Sequence, residues 1–254
     1  MVRKYSKCVL LFLGLVMMLP SLHSQVKQTH DVVVGFLQLK DGLNLGMVFN
    51  GFQLEYRYGI QWTIKNHEIG YQPRFGAGYV FHRGVLGNIM DDVQLHIAPV
   101  NVTWTMPFFE QNGHTIKGGL NFITDYNYQI YDDLHDSKLF WTTEIGFSPV
   151  IRYSYQWNEK RICIGLQNSL FGFISHTQEY DPYLWIIWQD FFKKPHTDLK
   201  FGSFNNYNRT TVSFEYVPNT SKKHSFMYEF DYFGIYYGNK FSRIGHNLIW
   251  RLSL

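Results

Sequence analysis

Strict alternation of residue character is the feature that most constrains this chain. Between positions 52 and 62 the sequence reads FQLEYRYGIQW, in which each aromatic or aliphatic residue is followed by a polar residue or glycine. Successive side chains of a β-strand point to opposite faces, so this segment predicts a strand with one apolar, aromatic face and one polar face. Similar segments recur up to the C-terminus, which predicts an all-β fold of many strands.

The composition indicates which side of such strands meets lipid. Aromatic residues make up 19% of the 254 residues, and they suit both strands and membrane–water interfaces. Mean hydropathy is only −0.21, because every strand carries a polar half. Beyond the N-terminal region there is no apolar run long enough for a membrane-spanning helix. We therefore predict an antiparallel transmembrane β-barrel of about ten strands, with eight or twelve as alternatives.

The first 24 residues are typical of a Sec-type secretion signal. Arg3, Lys4 and Lys7 give a basic start, an apolar stretch follows at 8–19, and Ser24 precedes the expected cleavage point. The predicted organisation is therefore a signal peptide at 1–24 and a barrel domain at 25–254.

Cleavage near Ser24 also fixes the charge and the cysteine content of the mature chain. The 23 basic residues lose three and become 20, against 20 acidic residues, so no nucleic-acid partner is expected. Of the two cysteines only Cys163 remains, which excludes an internal disulfide or a cysteine-based zinc site.

Ten strands are predicted from the alternation. They are expected at 43–49, 52–64, 68–82, 93–108, 115–130, 139–157, 161–175, 206–217, 224–237 and 242–254. The dipeptide Asn50-Gly51 is typical of a two-residue hairpin and is predicted to join the first two strands. Pro99 lies where the alternation slips by one residue, which predicts a β-bulge.

The lengths of the connections alternate along the chain. Short turns are predicted at 65–67, 109–114, 158–160 and 218–223, and longer loops at 83–92, 131–138 and 176–204. Short turns on one side and longer loops on the other are typical of outer-membrane barrels. An even number of strands places both chain ends on the short-turn, periplasmic side. The short connections at 50–51 and 238–240 fit this asymmetry less well.

The C-terminal segment HNLIWRLSL alternates up to the last residue, with Leu248, Trp250, Leu252 and Leu254 on one face. It resembles the terminal strand of Gram-negative outer-membrane barrels, although Leu254 departs from the aromatic residue that usually ends that strand. The resemblance is to the class and selects no family within it. It implies insertion by the barrel-assembly machinery and residence in the cell outer membrane, in contact with lipid and lipopolysaccharide.

The polar strand faces are predicted to line the lumen. The residues assigned to it are Glu55, Arg57, Arg74, Lys117, Asp125, Glu144, Arg152, Glu215, Glu229, Asp231, Asn247 and Arg251. A ten-stranded barrel is only modestly wider than one that side chains fill, and an unpaired buried charge is costly. Two interpretations remain open: an ion-pair network that fills the barrel, or a porin-like path or pocket. The leading function is a non-enzymatic barrel that passes or binds a small polar solute or a surface glycan.

An outer-membrane enzyme is the alternative. No Gly-x-Ser-x-Gly motif occurs, and no His, Cys, Asp or Glu spacing is typical of a metal site, so no cofactor is expected. Asp133 and His135 lie in one predicted outer loop and could activate water in a rim protease. His176, which follows Ser175, could serve in a lipid-A hydrolase.

The segment 176–204 is the longest stretch without alternation and contains YLWIIWQDFF. Trp185, Trp188 and Phe192 would share one face of a helical turn. This apolar surface is too large for a free loop, so we expect it to fold into the lumen, lie on the lipid or dock an envelope protein. The last option makes a structural or docking barrel the third candidate function.

Overall fold

The computed structural model describes residues 25–42, 46–83, 89–131, 138–177, 194–220 and 223–254. The strands within these ranges are β1 (Gln25–Asp41), β2 (Val48–Ile64), β3 (His67–Tyr71), β4 (Arg74–Arg83), β5 (Ile89–Gln111), β6 (His114–Tyr131), β7 (Lys138–Trp157), β8 (Lys160–Asn168), β9 (Phe171–His176), β10 (Lys200–Ser203), β11 (Tyr207–Val217), β12 (His224–Ile235) and β13 (Phe241–Ser253). Within the same ranges, one 3-10 turn covers Lys194–His196. No helix in these ranges is long and apolar enough to cross a membrane. The predicted signal peptide lies outside the described residues.

All strand pairs are antiparallel, and the sheet closes on itself. The ring is completed by β1 and β13, which pair from Thr29↔Ser253 to Asp41↔Phe241. Three strands of the wall are each split in two: β3 continues as β4, β8 as β9, and β10 as β11. The described ranges thus form ten wall strands, which confirms the predicted all-β barrel of about ten strands.

Prolines explain two irregularities of the wall. Pro73 separates β3 from β4, because proline has no N–H with which to continue the ladder. At Pro99 the register of β5 against β6 shifts between Ile97 and Val100. The bulge that the change in alternation predicted at Pro99 is therefore confirmed.

The beginning of the barrel differs from the prediction. The strand predicted at 43–49 and the hairpin predicted at Asn50-Gly51 are wrong. Asn50 and Gly51 lie inside β2, where they pair with Gln38 and Leu37 of β1. Gly51 is placed there by close packing, since a Cβ at this position would overlap the backbone of Tyr79. Glycine at position 51 therefore reflects close packing within the sheet, where only glycine fits, and does not mark a hairpin turn.

The short turns predicted at 65–67, 109–114 and 158–160 lie at one end of the barrel, which we call the turn end. Lys65, Asn112 and Asn158 take left-handed conformations there, with φ of 54°, 51° and 53°, as tight hairpin turns require. The chain termini of the barrel meet at the same end, where Leu254 N–H donates to the Gln28 carbonyl. The opposite end, where β1, β6 and β9 finish, is called the loop end.

The outer surface of the barrel is apolar. Phe52 and Leu248 are 67% and 66% exposed, and most of the other large outward side chains are also aliphatic or aromatic. A soluble monomer rarely exposes an apolar area that encircles it. A closed barrel with such a band and with every wall strand paired is the structure that spans a lipid bilayer with strands.

Candidate functional site

Inward-pointing side chains divide the lumen into three layers. We call them, from the loop end to the turn end, the apolar layer, the charge layer and the basic cavity. The same strand supplies residues to successive layers because every second side chain points inward. On β2, for example, Phe49 belongs to the apolar layer, Glu55 and Arg57 to the charge layer, and Gln61 to the basic cavity.

The apolar layer is a packed hydrophobic core. Each of its members is at most 5% exposed: Leu37, Leu39, Phe49, Val80, Phe140, Ile174, Tyr207, Phe233, Ile235 and Phe241. Eight different wall strands contribute these side chains, which pack together inside the barrel. Buried polar side chains of β5 and β6, among them Gln94 and Gln129, lie beside this cluster.

Arg57 is the centre of the first group in the charge layer. Its two Nη atoms donate to the two Glu229 carboxylate oxygens at 3.0 and 2.7 Å, and its Nε donates to Glu55. Arg57 is only 2% exposed. The planar guanidinium thus uses its fork geometry to satisfy two buried carboxylates from different strands.

Arg209 is the centre of the second group. It donates to Asp125 at 2.5 Å and to Glu144 at 2.6 Å, and its Nε lies 3.4 Å from Asp231. Arg243 adds a 2.9 Å bond to the other oxygen of Asp231. Every one of these side chains is buried, so the charges stabilise the fold only as a set.

His96 joins the two groups. Its Nδ1 lies 2.7 Å from Glu55 Oε2, and its Nε2 lies 2.9 Å from Asp125 Oδ1. A carboxylate on each side favours the doubly protonated imidazolium, in which both nitrogens carry a proton. The charge layer thus contains five carboxyl groups, three guanidiniums and the His96 ring, and its side chains come from β2, β5, β6, β7, β11, β12 and β13.

Below the charge layer the lumen widens into the basic cavity, whose volume is ≈ 750 Å³. Its ionisable lining side chains are those of Lys27, Arg57, Glu68, Arg74, Lys117, Arg152, Tyr153, Arg161, Cys163, Glu215, Glu229 and Arg251. A second cavity of ≈ 730 Å³ is lined by the residues of the hairpin turns, and it shares Glu68, Lys117 and Arg161 with the first. The basic cavity therefore opens at the turn end.

Only part of the positive charge in the basic cavity is neutralised. Lys117 pairs with Glu68 at 2.6 Å, and Arg251 pairs with Asp31 at 2.7 Å and with Glu215 at 3.4 Å. Among the described residues, four of the cavity's cations make no ion pair: Lys27, Arg74, Arg152 and Arg161. The cavity is therefore cationic.

The structure places the predicted lumen residues in two of these layers. Glu55, Arg57, Glu144 and Glu229 lie in the charge layer, and Arg74, Arg152, Glu215 and Arg251 line the basic cavity. Sequence reasoning missed some of their partners, namely Asp31, His96, Arg209 and Arg243, and the cavity residues Lys27 and Arg161. Arg209 and Arg243 were detectable, because they keep the alternation of Glu215 and Arg251 on the same strands.

Of the three residues named for the enzymatic alternatives, the structure describes His176. His176 is buried; its Nε2 lies 2.9 Å from the carbonyl of Asn239, and its ring packs edge-on against Tyr237. Within the described ranges no three His, Cys, Asp or Glu side chains are grouped so that they could hold a metal ion. Asp133 and His135, and the loop residues Trp185, Trp188 and Phe192, lie outside the described residues.

Comparison with known proteins identifies no family. No family model matches the chain, and no curated protein matches its sequence. Among solved structures, the translocator domain of the autotransporter NalP from Neisseria meningitidis is 7% identical with a TM-score of 0.49, covering 94% of this chain and 92% of that chain.

Two further structures have a similar likeness. The outer membrane protease OmpT from Escherichia coli is 8% identical with a TM-score of 0.49, covering 91% of this chain and 95% of its own. An outer membrane channel from Pseudomonas putida F1 is 9% identical with a TM-score of 0.41, covering 91% and 96%. At such identities and TM-scores, no activity transfers from these proteins to this chain.

Proposed function

We propose that this protein is an outer-membrane β-barrel that binds a small polar solute in the basic cavity, from the periplasmic side. The single observation that carries the proposal is the asymmetry of the lumen. One half is filled by the apolar layer and the charge layer, and the other half is a polar cavity that opens at the turn end.

The orientation follows from the turns. In outer-membrane barrels the short turns face the periplasm and the longer loops face the outside. The turn end carries the two-residue connections at 65–66, 112–113 and 158–159 and both ends of the barrel. A cavity that opens at this end meets periplasmic solutes, which favours a small solute over a glycan of the cell surface.

The apolar layer and the charge layer favour binding of a solute over its passage through the barrel. Leu37 and Ile235 of the apolar layer are fully buried, and Arg57 and Arg209 of the charge layer are 2% exposed. A conducting pore needs a continuous polar path. The packed apolar side chains and the paired charges of these two layers are buried from solvent, which supports a closed lumen.

The first test is conductance in a planar bilayer with verified folded protein. We expect no steady, salt-dependent current steps. Current steps whose size rises with salt concentration would show an open lumen and would contradict the proposed closed barrel.

The second test uses Cys163, whose half-buried thiol lines the basic cavity. In the full-length chain with Cys8→Ser, the rate at which a small thiol reagent modifies Cys163 is measured with inorganic pyrophosphate, glucose or putrescine present. We expect one of these probes to slow the modification several-fold in a saturable way. If all three leave the rate unchanged, binding in the cavity is refuted.

A further inference from the structure

We infer that the solute bound in the basic cavity is a small oxyanion carrying two or more negative charges, held by Arg74, Arg152 and Arg161. The inference rests on the proposed function and names the ligand chemistry of the same site. It follows from which polar groups of the cavity already have partners and which do not.

The guanidiniums are the groups left without partners. Nε of Arg74 and Nε of Arg161 are buried and have no hydrogen-bond partner. Arg152 makes no ion pair with any described residue, although it projects from β7 into the cavity. A guanidinium presents its N–H groups as a planar fork that fits the oxygens of a phosphate or carboxylate.

Three neutral amides of the cavity, in contrast, satisfy one another. Asn121 Nδ2 donates to Asn101 Oδ1 at 2.7 Å, and Gln167 Nε2 donates to Asn121 Oδ1 at 3.0 Å. A neutral sugar that used these amides would have to break their bonds. An oxyanion would use donors that are vacant, so the cavity is better prepared for an anion than for a sugar.

Repulsion between the cations adds to this preference. Arg161 and Arg251 repel Lys27, and Arg251 repels Arg152, while Glu215 and Glu68 offset this repulsion only in part. Like charges held together inside a barrel wall interact more strongly than they do in bulk water. A bound multivalent anion removes this repulsion, whereas a cation such as putrescine would increase it.

The anion is a soluble one. The cavity lies inside a ring of wall strands that is closed by β1 and β13, and it opens at the turn end. The lipid around the barrel has no lateral entry to it through the paired strands. The ligand must therefore reach Arg152 and Arg161 from the aqueous phase.

The test again uses Cys163, now with reagents of opposite charge. The thiol lies among the same cations, and the charges of Arg152 and Arg161 act on it. In the full-length chain with Cys8→Ser, a sulfonate-bearing methanethiosulfonate should modify Cys163 at least about tenfold faster than a trimethylammonium-bearing one. High salt should reduce the ratio. Equal rates for the two reagents at low salt would overturn the inference without use of any variant.

The second arm measures protection by inorganic pyrophosphate. We expect pyrophosphate to protect Cys163, glucose and putrescine to have no effect, and the double variant Arg152→Gln/Arg161→Gln to lose protection at least about tenfold. The matched control is Lys160→Gln/Lys223→Gln, which removes two positive charges at exposed positions of the turn end. It should retain protection.

The outcomes separate the two proposals. If glucose or putrescine protects and pyrophosphate does not, the proposed binding function stands and the oxyanion is refuted. If the control loses protection as fully as the arginine variant, general charge and not the site attracts the anion, and the inference is also refuted. If no probe protects, both proposals fail.

Discussion

Arg57 and Glu229 form a two-pronged ion pair across the lumen, with Nη1 and Nη2 donating to the two carboxylate oxygens. The residues lie on β2 and β12, which are separated in the wall by β1 and β13. A direct bond between non-adjacent strands fixes the diameter of the barrel at this level. It also makes each residue dependent on the other, because both are buried.

Removal of Arg57 should therefore cost more stability than removal of Glu229. Arg57→Met leaves Glu229 without its ion-pair partner and Glu55 with only His96, and we expect a loss of about 3–5 kcal/mol. Glu229→Gln leaves Arg57 with Glu55 and should cost less. The double variant should lose less than the sum of the single variants. Unfolding by urea, followed by tryptophan fluorescence in lipid vesicles, measures all three; additive losses would contradict the coupling.

The apolar layer should be sensitive to truncation, unlike the lipid-facing surface. Phe49→Ala opens a cavity in packed surroundings and should cost about 3–5 kcal/mol. Phe52→Ala is the matched control three residues further on: this side chain is 67% exposed, so lipid tails replace the lost ring. We expect a clearly smaller loss for the control. Phe49→Ala should not conduct in a planar bilayer, because the charge layer remains beneath it.

Close pairing of β5 and β6 should make Gly119 intolerant of a side chain. A Cβ there would overlap the carbonyl oxygen of Trp104 on the neighbouring strand. Gly119→Ala should lose about 1–3 kcal/mol through forced backbone displacement. Gly70→Ala provides the control, since its nearest contact would be the Thr103 carbonyl at 3.9 Å. The fraction of heat-modifiable, folded protein on a gel compares them; equal fractions would show that the wall adapts freely.

Surface labelling should establish the orientation of the barrel. In a chain carrying Cys8→Ser and Cys163→Ser, we introduce Lys240→Cys at the loop end or Lys160→Cys at the turn end, both exposed positions. A bulky maleimide that does not cross the outer membrane should label Lys240→Cys on intact cells. Lys160→Cys should be labelled only after the cells are permeabilised. The reverse pattern would place the basic cavity towards the outside.

Alternation made the wall and much of the lumen predictable from the sequence. Glu55 and Arg57 on β2, and Glu229 on β12, were assigned to the lumen because their neighbours are aromatic at every second position. The structure brings these three residues into direct contact. Alternation fixes only which face a residue occupies, so the contacts between strands required the three-dimensional register.

β1 escaped prediction because it has no polar face over its loop-end half. Val32 and Val34 point to lipid. On the other face, Leu37 and Leu39 point into the apolar layer. Alternation of polarity disappears wherever both the membrane and the lumen are apolar. The sequence VVVGFLQL therefore does not distinguish a strand from another kind of buried segment. The hairpin signal at Asn50-Gly51 also moved the predicted first strand to 43–49.

Sequence patterns also could not predict the role of His96. Its alternation with Gln94 indicates the lumen face, but its partners Glu55 and Asp125 come from β2 and β6. A lone histidine has no spacing that signals two carboxylates far away in the chain. Lys27, on the unpredicted β1, was missed for the same reason as that strand.

The pairing of β1 with β13 has a consequence for biogenesis. The first and last strands of the barrel are the ones that complete the ring, so no stable cylinder exists until the final residues have been synthesised and delivered. Until then the chain has two open strand edges, each a template for pairing with other molecules, and closure must overcome the entropy of the whole intervening chain. Deletion of β13 would therefore produce an aggregating precursor, and not a smaller barrel.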